Sequence, residues 1–149
     1  YRQVLTFLPS WARGLQVFAN VSSQRVLGDE SGDFAGFVPL AANWGISLNR
    51  PAYNLRLNWN HRGSQRLSRI TTGASLPPDA FFWAVERRFL DILAEYRLTP
   101  RTSLFVNLRN ATVVPDDQEA YGTGTPQYAR LRQRYDVAAL WTIGLKGSF

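Results

Sequence analysis

The strongest constraint on this chain is its final stretch, Tyr135 to Phe149, where side chains alternate in character without a slip. Tyr135, Val137, Ala139, Trp141, Ile143, Leu145, Gly147 and Phe149 share one parity; Asp136, Ala138, Leu140, Thr142, Gly144, Lys146 and Ser148 share the other. A period of two requires extended backbone, because successive Cβ atoms in a strand point to opposite faces. The pattern predicts one unbroken strand with an apolar face and a mixed face. That is long for a soluble sheet, whose strands usually hold about 5–6 residues.

A strand of this kind suits a transmembrane barrel, with lipid on one face and a polar lumen on the other. Composition agrees. Hydrophobic residues make up 45% of the chain, yet they are spread in alternation, and no run approaches the ~18 apolar residues of a membrane helix. Cysteine is absent, which excludes disulfides and thiolate metal sites. The net charge of +6 is carried almost wholly by arginine, Lys146 being the only lysine. A soluble protein of pI 10.3 would suggest nucleic acid. In an outer-membrane barrel the same arginines suit lumen pairing and lipopolysaccharide phosphates, which a guanidinium grips in bidentate fashion. Tyr1-Arg2-Gln3-Val4 has no signal-peptide character, so the expectation is a processed N-terminus or a start within a longer protein.

Alternation divides the chain into seven extended segments: Tyr1 to Phe7, Gly14 to Val26, Val38 to Asn49, Tyr53 to Arg62, Trp83 to Leu98, Thr102 to Asn110 and Arg134 to Phe149. Their connections alternate as well. Leu8 to Arg13, Arg50-Pro51-Ala52 and Thr99-Pro100-Arg101 are short and marked by proline; Leu27 to Phe37, Gly63 to Phe82 and Ala111 to Gln133 are long and rich in Gly, Asp, Ser and Pro. Short connections on one side and long ones on the other is the layout of outer-membrane barrels, with the short turns and here the C-terminus periplasmic. The fold predicted is all-β, an antiparallel up-and-down meander of about seven long strands.

Parity also predicts register. A two-residue Pro51-Ala52 turn sets Trp44 opposite Trp59 on the outer face, and a three-residue turn over Thr99-Pro100-Arg101 sets Asp91 opposite Arg109 on the inner face. Outward positions on the fifth segment carry charge as far as Arg88, and then stay apolar from Leu90 to Leu98. Those nine positions match the ~9–11 residues of a tilted crossing strand. Tyr53 and Tyr96, with Phe149, mark a lower aromatic girdle, and Trp59 an upper one. Arg56, Asp91, Glu95, Arg97 and Arg109 fall on the inner parity as lumen-facing charge.

The run Glu95-Tyr96-Arg97-Leu98-Thr99-Pro100-Arg101-Thr102-Ser103-Leu104-Phe105-Val106-Asn107-Leu108-Arg109-Asn110 resembles the penultimate hairpin of TonB-dependent outer-membrane receptors. Trp141-Thr142-Ile143-Gly144-Leu145-Lys146-Gly147-Ser148-Phe149 is similar to that family's closing strand, and Leu8 to Leu15 looks like one of its periplasmic turns. Gly147 stands where many other outer-membrane proteins carry Tyr. The resemblance implies the C-terminal segment of a 22-stranded barrel, because seven strands cannot close the even-numbered bacterial barrel alone. It further implies import of a scarce ligand (iron-siderophore, cobalamin or glycan), with a plug domain and TonB as partners through an N-terminal part outside this sequence. Trp141, Ile143, Leu145 and Phe149 would carry the signal read by the barrel-assembly machinery.

The remaining motifs have plainer readings. His61, the only histidine, faces outward and lacks companions for a zinc site. Asp29-Glu30-Ser31-Gly32-Asp33 misses the EF-hand spacing and reads as a solvated acidic loop, as do Asp116, Asp117 and Glu119. Gly122-Thr123-Gly124 lacks the strand-to-helix setting of a phosphate loop. Asp91 and Glu95 could form a glycosidase-like pair, but charges alternating along an inner face also read as mutual neutralisation with the inward arginines, Asp136 included. No catalytic residue, cofactor or metal is expected. The rival expectation is a small self-contained barrel, either adhesin- or porin-like in the outer membrane or soluble and lipid-binding. A nucleic-acid-binding β-domain would need arginines and aromatics on one face; on Tyr53 to Arg62 they take opposite faces.

Overall fold

In a computed structural model, residues 1–27, 35–71, 77 and 79–147 are described. Phe149 and the Asp29 to Asp33 segment lie outside them. The strands are β1 (Arg2–Val4), β2 (Leu15–Ser23), β3 (Leu40–Asn49), β4 (Tyr53–Arg62), β5 (Gln65–Arg69), β6 (Phe81–Ala84), β7 (Arg87–Thr99), β8 (Thr102–Arg109), β9 (Asp116–Tyr121), β10 (Leu131–Tyr135) and β11 (Leu140–Gly147). No α-helix occurs among the described residues; single 3-10 turns cover Ser10–Ala12 and Gln127–Ala129.

Seven strands form one antiparallel sheet in the order β1-β2-β3-β4-β7-β8-β11, the meander that alternation predicts. The sheet is open, with β1 and β11 at its edges. Its registers follow parity: Trp44 opposes Trp59, Ile92 opposes Leu108, and β4 matches its predicted span residue for residue. The turn between β7 and β8 differs from expectation. β7 runs on to Thr99, which faces Thr102 after a register shift beyond Arg97, so the turn is Pro100-Arg101. The bulge absorbs the residue that a three-residue turn was expected to hold.

The long connections correct the sequence reading further. They contain a second antiparallel sheet, ordered β10-β9-β6-β5. Arg62 opposes Arg87 at the top of β4–β7, and Gln65 opposes Ala84 at the start of β5–β6. Equal two-residue joints, Gly63-Ser64 and Val85-Glu86, therefore bend one long hairpin without altering its register. The other joint is unequal: Asn110 to Pro115 on one side, Asp136 to Ala139 on the other. Two predicted strands are thus broken among the described residues: Trp83 to Leu98 divides between β6 and β7, and Arg134 to Phe149 between β10 and β11. Alternation survives both breaks, since joints of two and four residues preserve parity, which is why periodicity alone could not reveal them.

Candidate functional site: two opposed faces of one sheet

Cross-strand rows assign the paired residues of the seven-stranded sheet to its two faces. One row reads Val17, Ile46, Leu57, Ile92, Leu108 and Trp141; the next reads Leu15, Leu48, Leu55, Ala94, Val106 and Ile143. Both are wholly apolar and none of their members is buried: Ile46 and Leu55 in the middle of the sheet are 39% and 38% exposed, and Trp141 and Ile143 on the edge strand are 61% and 65% exposed. Among the described residues only Ala12, Ala80 and Phe81 are buried apolar side chains. A soluble domain of this size concentrates its large apolar residues inside, and an uncovered apolar face marks a contact surface. Tyr53 opposes Tyr96 at the short-turn end of this face, while Trp44, Trp59 and Leu90 line up near the other end.

The intervening rows are mixed and carry the polar side chains. Gln16, Ser47, Arg56, Leu93, Asn107 and Thr142 form one; Asn49, Asn54, Glu95, Phe105 and Gly144 form another. This face is hollow, with a concavity of about 470 Å³ lined by Asn54, Arg56, Glu95, Asn107 and Lys146 among others. Two glycines make room for aromatic rings. A Cβ on Gly45 would stand 2.7 Å from the Phe18 ring, and one on Gly144 would stand 2.7 Å from the Phe105 ring. Each phenylalanine is the cross-strand partner of its glycine. Arg56 lies over Phe18 at 4.4 Å, so its charge rests on a ring.

A chain of amides crosses this face. Asn43 Nδ2 donates to Asn58 Oδ1 (2.9 Å) and Asn60 Oδ1 (2.7 Å), and Asn60 Nδ2 donates to Asp91 Oδ2 (2.8 Å). The other Asp91 oxygen accepts from the Asn110 backbone N–H at 2.9 Å. Asn110 itself is buried, at φ 53°, and its side chain closes the unequal joint. Its Nδ2 donates to Val114 O (3.1 Å) and Val137 O (2.8 Å), and its Oδ1 accepts from Val114 N–H (3.0 Å). Sequence reading assigned Asn110 no role beyond ending a strand. An asparagine before a long connection is a weak signal, although asparagine tolerates positive φ.

Arg56, Asp91, Glu95, Arg97 and Arg109, the charges expected to face a lumen, fall on one face of the sheet, but their partners differ from expectation. Asp91 is satisfied by amides, not by arginine, and Glu95 pairs with Lys146 at 3.1 Å. Arg56 stacks on a ring; Arg97 and Arg109 share the face without an ion pair among the described residues. The direct partners of these two carboxylates are thus amides and a lysine, with Arg97 acting on Glu95 through its charge alone. Both carboxylates serve as hydrogen-bond acceptors within the wall, so the glycosidase-like pair has no support in their surroundings.

The second sheet is organised by arginine and aromatic side chains. Trp83 stacks on Tyr121 at 5.2 Å, Arg130 lies over Tyr121 at 4.5 Å and Arg132 over Phe82 at 4.0 Å. Arg134 grips Asp117 with two bonds of 2.9 and 2.6 Å, and Arg87 pairs with Asp116 at 2.9 Å. The acidic stretch at Asp116 is thus ion-paired, not simply solvated. Donation from Arg134, reinforced by its charge, holds the Asp117 carboxyl below the usual carboxylate range. Hydrogen bonds from Thr123 do the same for Asp79. The Thr123 N–H that a phosphate would need is given to Asp79 at 2.9 Å. His61 Nδ1 lies 3.5 Å from Glu86 without making a hydrogen bond. No protein-family profile matches this chain, and neither does any curated protein or solved structure.

Proposed function

We propose that this chain is barrel wall: a C-terminal segment of the 22-stranded barrel of a TonB-dependent outer-membrane receptor, which imports a scarce ligand into the periplasm. The observation that carries the reading is the inversion of the sheet, with apolar rows accessible on one face and charges and amides on the hollow face. Lipid would cover the first, and the lumen would hold the second. The continuous backbone ladders from β2 to β11 suit a bilayer, where unpaired N–H and C=O groups are costly. The open edges at β1 and β11 fit a segment whose neighbours are other strands of the same wall. On this reading the short turns are periplasmic, the second sheet rises above the outer surface, and Trp141, Ile143, Leu145 and Phe149 are presented to the barrel-assembly machinery. The segment supplies wall and no catalysis.

The soluble lipid-binding alternative turns the apolar rows inward, and the scarcity of buried apolar side chains counts against it. The test uses the full-length protein that carries this segment, reconstituted in vesicles and reduced to a single tryptophan, Trp59. Phospholipids brominated on their acyl chains should quench its fluorescence, and aqueous iodide should not. Quenching by iodide alone would reject the membrane reading.

A further inference from the structure

Charge is divided unevenly along the strand axis. Nine of the eleven carboxylates lie in the long connections and the second sheet, leaving only Asp91 and Glu95 in the wall. At the opposite end, each of the three short turns carries one arginine and no carboxylate: Arg13 before β2, Arg50 before β4 and Arg101 between β7 and β8. Antiparallel order brings the three turns to the same end of the sheet. The Arg50 guanidinium reaches Ser10 O at 3.1 Å, tying one turn to the next. Arg13 and Arg101 are exposed and form no ion pair among the described residues. Accessible apolar side chains stand beside them: Phe7 (77%), Tyr53 (41%), Tyr96 (53%) and Leu98 (53%).

We infer that this short-turn rim binds the phosphates of anionic glycerophospholipid headgroups, through Arg13, Arg50 and Arg101, in the leaflet facing the short turns. The inference rests on the wall reading above and extends it to a lipid class and a leaflet. A guanidinium meets a phosphate with two parallel donors, and the tyrosine belt sets the depth at which headgroups begin. Cationic side chains near an anionic surface each add a modest, salt-sensitive attraction, about fivefold in association at low ionic strength. The second sheet is the poorer phosphate site, because Arg130, Arg132 and Arg134 are set against Tyr121, Phe82 and Asp117, whereas Arg13 and Arg101 of the rim are exposed and Arg50 is held by a neutral carbonyl that leaves its charge uncompensated there.

The test measures the protein's preference for spin-labelled phosphatidylglycerol over phosphatidylcholine, both as traces in phosphatidylcholine vesicles. The expected result is a preference of severalfold or more that collapses toward unity in 1 M salt. It should also collapse in the triple variant Arg13→Gln, Arg50→Gln, Arg101→Gln. The charge-keeping Arg→Lys triple and the distal pair Arg130→Gln, Arg132→Gln should retain it. Equal association of both lipids with the unmodified protein, or an undiminished preference in the glutamine triple, would overturn the inference. Heat-modifiable mobility checks that each variant is folded, and the salt series tests the claim even if the triple variant does not fold. Failure of Trp59 quenching by brominated lipid would instead overturn the wall reading, so the two failures are distinguishable.

Discussion

At the scale of single residues, Asn110 holds the joint between the wall and the sheet above it. Three side-chain hydrogen bonds meet there in a buried setting, and its backbone N–H supplies Asp91. Asn110→Gly keeps the positive φ accessible while removing those bonds, and should cost about 2–4 kcal/mol in a urea titration of the folded protein, at roughly 1 kcal/mol per bond. Asn110→Asp should be at least as damaging, because a carboxylate oxygen would then face the carbonyls of Val114 and Val137. Val113, three residues on, sits at φ 52°, a conformation that β-branched side chains resist. Val113→Asn should therefore stabilise the protein, by about 1 kcal/mol in the same titration. Gly45→Val tests the opposite kind of constraint. Its Cβ would collide with Leu57 O and the Phe18 ring, so a loss of about 1–3 kcal/mol is expected.

Among the elements, strands whose two faces differ sharply were legible in the sequence. β4 alternates Tyr53, Leu55, Leu57 and Trp59 with Asn54, Arg56, Asn58 and Asn60, and its span and register follow from that pattern. The second sheet was not legible. Gln65 to Arg69 and Asp116 to Tyr121 are polar on both faces, and their pairing depends on partners distant in sequence, Ala84 for Gln65 and Gln133 for Gln118. Only the lumen charges, not their partners, could be read, because Asp91 is met by amides from β4 and the β8 joint. The β9–β10 hairpin makes its own prediction. The Asp117 carboxyl titrates below its ordinary 3.8 when folded, so its contribution to stability is present above that pH and is lost as pH falls through the depressed value. The protection of the β9 and β10 amides, measured against the unstructured exchange rate at each pH, should fall on acidification below about pH 4, and Asp117→Asn should remove that step. An unchanged step in Asp117→Asn would assign it to another group.

For the molecule as a whole, the account depends on which face meets lipid. The seven-stranded sheet has an apolar side with no core behind it and a polar side spanned by hydrogen-bonded amides. In water this arrangement is unfavourable; in a bilayer it is the expected one. Neighbouring positions on β8 separate the two cases most directly. Val106 lies in an apolar row between Ala94 and Ile143, and Asn107 lies between Leu93 and Thr142 on the hollow face. Both are flanked by paired strands. The decisive measurement is the unfolding free energy of Val106→Arg and Asn107→Arg in lipid vesicles. The membrane-wall account predicts a loss of about 2–4 kcal/mol for Val106→Arg near mid-bilayer and under about 1 kcal/mol for Asn107→Arg. Equal losses, or the larger loss at Asn107, would contradict it.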